Sequence, residues 1–271
     1  MGTEGKEITE NAGGVTGAEV VASEGQFRSR IAGLFVLSGA LIFFGAVLVG
    51  IGNSPPLRFP GTNEIADLLY WGNHPGTTIG GGVVAATGYL LIVPPLTFLV
   101  RAAQNRQAPI PRIVPALVIA GGVLMAVSSV GLSVLAVVTS NKFSDHTGLS
   151  YAEADKLLKW KVFLPFSAAG LLGSFALAFS MLMTSLNAMR VGLLTRALGY
   201  TGILAGGLMV FRITPLPVVQ LAWLVCTGAV IAGRWPGSPL AAWASGEARP
   251  WPTAAELRAA AADKKNNGKP A

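Results

Sequence analysis

Charge is what this 271-residue chain has least of. Asp, Glu, Lys and Arg make up only 12% of it, where a soluble domain carries about a quarter. No Asp, Glu, Lys or His falls within the long apolar runs, which removes the usual material of proton relays and ion-coupled pumps. Cys226 is the single cysteine, so neither an intrachain disulfide framework nor a cysteine metal cluster can form. No nucleophile paired with a base, no glycine-rich phosphate loop and no HExxH pattern is present, and no cofactor is expected. The formal charge of +7 and pI near 9.9 come from basic residues scattered between apolar runs, with no stripe or motif, which excludes nucleic acid as a partner.

What the chain does have is apolar length. Hydrophobic residues make up 52% and mean hydropathy is +0.56, the composition of a polytopic, all-α membrane protein whose first partner is the lipid bilayer. Five uncharged windows follow one another, and the last, between Arg196 and Arg234, is too long for one crossing. A helix of that length would reach roughly 55 Å against a hydrocarbon core of about 30 Å. It divides at Phe211-Arg212-Ile213-Thr214-Pro215-Leu216-Pro217, since proline cannot continue a hydrogen-bonded helix and arginine is costly at mid-membrane. The expectation is six transmembrane helices, near 31–51, 77–100, 113–139, 160–186, 191–211 and 214–233.

Residues 1–30 read as a flexible tail, glutamate- and glycine-rich without an apolar run, and they lack the pattern of a signal peptide. Residues 234–271 read as a second tail with a short helix near 254–262, opened by Thr253-Ala254-Ala255-Glu256. Trp235, Trp243 and Trp251 recur every eight residues, which is no helical face, so they read as interfacial anchors on an irregular segment. Fourteen of the 20 basic residues fall on the side that carries both tails, placing both termini in the cytoplasm of a cell with an inner (plasma) membrane as its address.

Small residues suggest how the helices meet. Gly170, Ser174 and Ala178, then Gly202 with Gly206, Gly82 with Ala86 and Gly122 with Ala126 allow close approach of backbones, either within one chain or in a homo-oligomer. Pro94-Pro95 removes two backbone donors from the second span and reads as a kink, or as unwound backbone lining a substrate site. Pro165 is expected to kink the fourth span, into which a helix from Ser150 runs without a break. His74 and His146, near Asp67 and Asp145, are the only candidates for an outer metal site, and ordinary loop residues are the competing reading. Arg212 reads as the snorkelling anchor of the last outer hairpin, or as a latch meeting Glu64, Asp67 or Asp145.

Arg30-Ile31-Ala32-Gly33-Leu34 at the first span, the six-span count and the Gly233-Arg234-Trp235-Pro236-Gly237 exit resemble small uncharacterised bacterial membrane proteins classed as domains of unknown function. The resemblance covers about residues 28–258 and implies no activity. Non-enzymatic accessory or interaction work, with another membrane protein as partner, is the leading expectation. A permease for a neutral or apolar small molecule is the alternative, and a membrane enzyme with an outer-loop site the third.

Overall fold

The structure is a computed structural model that describes residues 16–49, 63–144, 156–157, 161–211, 216–252, 256 and 258. Among these the regular elements are all helices: α1 (Gly17–Leu48), α2 (Asn63–Asn73), α3 (Pro75–Leu91), α4 (Val93–Asn105), α5 (Val114–Ser144), α6 (Phe163–Arg190), α7 (Arg196–Phe211), α8 (Val218–Ile231) and α9 (Ala241–Ser245). Four stretches are long and apolar enough to cross a membrane: α1, α3 with α4, α5 and α6. The 16-residue α7 and 14-residue α8 are shorter apolar helices, about 24 and 21 Å long.

Helices α1, α3, α5, α6, α7 and α8 pack in that order, and α8 closes back on α1. Glycines seam most of these contacts. A Cβ placed on Gly45 would stand 2.5 Å from the backbone nitrogen of Ala85 on α3, and one on Gly121 would stand 2.9 Å from the nitrogen of Leu177 on α6. Gly206 faces the carbonyl of Ala178 and Gly228 the carbonyl of Ala32, each at 2.8 Å from such an atom. Gly82 and Gly122 likewise meet Ser133 and Tyr89, and Gly202 meets Ser185 and Trp223. Gly82, Gly122, Gly202 and Gly206 therefore seam the bundle itself, where dispersion between backbones replaces the hydrophobic drive that lipid does not supply.

Pro94 and Pro95 do more than bend a helix. They occupy the first turn of α4, where their missing N–H groups would have had no intrahelical partner. The helix is interrupted only at Ile92, and α4 packs against α1, α5 and α6 at once. Its Leu96, Leu99 and Ala103 are wholly buried, so α4 fills the ring at the end where α1 begins.

Several boundaries differ from those expected, each for a local reason. Residues 17–30 are not a flexible tail but the first turns of α1, started by a capping box in which Thr16 N–H donates to Glu19 at 2.8 Å and Thr16 Oγ1 accepts from Glu19 N–H at 3.4 Å. Lys161 and Val162 form a turn and α6 starts at Phe163, while the helix expected from Ser150 lies, apart from Lys156 and Leu157, outside the described residues. Pro165 consequently falls in the first turn of α6, where it demands no kink. The fifth helix does not reach back to Val191, because 191–195 is a loop and α7 starts at Arg196. The hydroxyls of Ser133, Ser174 and Ser180 donate to carbonyls of their own helices, at 2.9, 2.8 and 2.7 Å.

Candidate functional site

The densest polar chemistry gathers where α1 begins, α4 ends and the chain leaves α8. Glu24 and Arg28 lie one turn apart on α1, on the side facing the bundle. Arg106 caps the C-terminal end of α4, after which Gln107 adopts φ +61° and turns the chain away. The Arg106 guanidinium is buried and grips Glu24 with both arms, Nη1 donating to Oε1 at 2.9 Å and Nη2 to Oε2 at 3.0 Å. Two further donors are taken by the carbonyls of Ala242, at 3.0 Å from Nε, and Ala102, at 2.8 Å from Nη1, so that four of its five N–H groups are paired. A buried ion pair holds only when its spare donors are satisfied in this way, since desolvation offsets most of the attraction.

Over this pair lies the indole of Trp243, 1% exposed. The Arg28 guanidinium stands 4.8 Å from its ring centre and that of Arg106 5.2 Å, while Phe98 of α4 stacks parallel to it at 6.2 Å. Such cation–π contacts contribute up to about 2 kcal/mol each where water is excluded. Arg28 is itself fixed by donating from Nε to the carbonyl of Ile231, the last residue of α8, at 3.2 Å. One cluster thus joins α1, α4, α8 and α9.

The segment carrying Trp243 runs on as a strap beneath the loop 191–195. Val191, Leu193 and Leu194 of that loop are buried, and their carbonyls need donors that a helix would otherwise provide. The strap supplies them. Trp243 Nε1 donates to Leu193 O at 2.9 Å, Arg249 N–H to Val191 O at 3.0 Å and Trp251 Nε1 to Leu194 O at 2.9 Å, and Arg196 donates to Pro252 O. Gly192, at φ +80°, and Gly246, at φ +72°, lie against Arg249 and Gly17. A side chain at either glycine would be strained and would also collide with the facing backbone. Trp243 is thus no interfacial anchor on an irregular segment but the buried centre of a short helix, α9.

The residues expected to carry chemistry lie elsewhere. His74 is the exposed residue before α3, stacked on Tyr70 at 4.6 Å with Nδ1 3.2 Å from the Tyr70 carbonyl. Asp145, His146, the short helix near 254–262 apart from Glu256 and Arg258, and Arg212 lie outside the described residues, as do the side chains of Glu64 and Asp67. Among the described residues no group of three or more His, Cys, Asp or Glu could hold a metal ion. Pro94 and Pro95 position α4 as described above. Among the described residues its Thr97 hydroxyl has no hydrogen-bond partner, like those of Thr184 and Ser185 on α6 and Thr227 on α8.

Glu24, Arg106 and Trp243 were missed by sequence reasoning, although the Thr16-x-x-Glu19 box and the Glu24/Arg28 spacing were available to mark α1 as starting early. The contact from α4 to a residue more than 130 positions away leaves no local trace. Compared with known protein families, characterised proteins and solved structures, the chain matches none.

Proposed function

We propose that this chain is a six-span protein of the inner membrane, with both termini cytoplasmic, and that it works as a non-enzymatic scaffold for another membrane protein. The observation that supports this best is the glycine seaming around the closed ring. Backbones in direct contact on successive helix pairs leave little freedom for the rocking of one helix group against another that carriers use. The charge-free apolar runs point the same way, because ion coupling has no residue to act on. The strap adds a rigid, basic end on which a partner can be held.

A second reading rests on α4. A broken helix inside the ring, with the Thr97 hydroxyl unpartnered, also suits a permease for a neutral small molecule. Proteoliposome uptake separates the two. The scaffold reading predicts that uptake of small neutral polyols by vesicles containing the protein equals that of empty vesicles, and that a stoichiometric membrane protein co-purifies from native membranes. Uptake that is abolished by Pro94→Ala/Pro95→Ala would overturn it.

A further inference from the structure

The two ends of the bundle differ in the kind of cation they carry as well as in its amount. Ten arginines belong to the end with the strap: Arg28, Arg106, Arg196, Arg249 and Arg258, together with Arg30, Arg101, Arg112, Arg190 and Arg234. Between residues 16 and 258 that end has no lysine, whereas the stretches assigned to the opposite side carry Lys142, Lys156, Lys159 and Lys161 and only two arginines, Arg58 and Arg212. A rule that counts positive charge treats Lys and Arg alike, so it does not account for this division.

Arg30, Arg101, Arg112, Arg190 and Arg234 are all exposed. None of their side chains makes an ion pair or a hydrogen bond among the described residues. Among the described residues Glu24 is taken by Arg106 and Glu247 by Arg249. Their places follow the ring. Arg30 precedes the apolar part of α1, Arg101 lies in the last turns of α4, Arg112 just before α5, Arg190 at the end of α6 and Arg234 just past α8. Each therefore stands at an apolar boundary, the depth at which lipid phosphates lie.

We propose that these five guanidiniums form a collar that takes the phosphates of anionic phospholipids. This rests on the reading above that the strap end lies at a membrane surface. Arginine suits the task because its planar fork pairs two phosphate oxygens at once, while lysine offers a single point of charge.

The test keeps charge constant and removes the fork. Wild type and a variant with all five arginines changed to lysine are reconstituted in phosphatidylcholine containing about a quarter phosphatidylglycerol, and retained lipids are counted by native mass spectrometry. Wild type should retain phosphatidylglycerol over phosphatidylcholine, and the lysine variant should hold about threefold less phosphatidylglycerol per protein while keeping the preference that charge alone gives. A glutamine variant should lose it altogether. Equal retention by wild type and lysine variant would overturn the collar, as would displacement of phosphatidylglycerol by inorganic phosphate, which would make the site one for the free anion. Failure of the wild type to insert into these bilayers would overturn the membrane reading beneath it.

Discussion

Replacing Glu24 with Ala is expected to cost about 3–5 kcal/mol of stability, because it leaves the buried Arg106 guanidinium without its counter-charge. The loss should appear as a lower unfolding midpoint in mild detergent. A comparison of variants makes the prediction sharper. Arg106→Met strands the Glu24 carboxylate and also removes the donors to Ala242 O and Ala102 O, so it should cost at least as much as Glu24→Ala. The double variant Glu24→Ala/Arg106→Met should cost less than the sum of the two, since neither charge is then left alone. It should not return to wild type, because the Ala242 carbonyl and one face of Trp243 remain unserved. Strictly additive losses would mean that the pair contributes nothing as a pair.

Trp243→Ala should have an effect of the same size, about 3–5 kcal/mol for emptying a fully buried aromatic site, with a local consequence that Glu24→Ala lacks. The strap loses its anchor, the Leu193 carbonyl loses its donor and Arg28 loses the ring it faces. Limited proteolysis should then cut between residues 234 and 252 while the bundle stays intact. Trp243→Phe preserves the stack on Phe98 but leaves Leu193 O unpaired, so about 1–3 kcal/mol is expected. If Trp243→Ala left the strap as resistant as in wild type, the donors from Arg249 and Trp251 would have to hold it by themselves.

Both effects concern residues that sequence reasoning placed in tails, and the reason is instructive. Apolar runs and helix breakers are local, so the apolar helices and the break at Pro94-Pro95 were legible from the chain itself. The packing role of Gly82, Gly122, Gly202 and Gly206 was legible too, since small residues at helical spacing have few other uses in lipid. What escaped was the polar end. Glu24 reads as one of several tail glutamates until Arg106 is known to reach it. Trp243 reads as an interfacial ring until the loop carbonyls that need a donor are seen above it. Composition reports that a segment is polar and proline-rich. It does not report that a buried loop elsewhere depends on that segment for hydrogen bonds. The loop itself was misread for a related reason. Val191-Gly192-Leu193-Leu194 has the composition of a helix extension, and only the positive φ at Gly192 and the indoles beneath it explain why α7 starts later.

In the proposed topology α8 returns the chain to the side on which α1 begins, so that the strap lies at the cytoplasmic end and position 212 outside. Cysteine labelling tests it directly. In a Cys226→Ala background, Arg212→Cys and Glu247→Cys are exposed in turn to a membrane-impermeant maleimide on sealed cells. The account predicts that position 212 is labelled before lysis and position 247 only after it. Labelling of both from the same side, or of position 247 alone from outside, would contradict it.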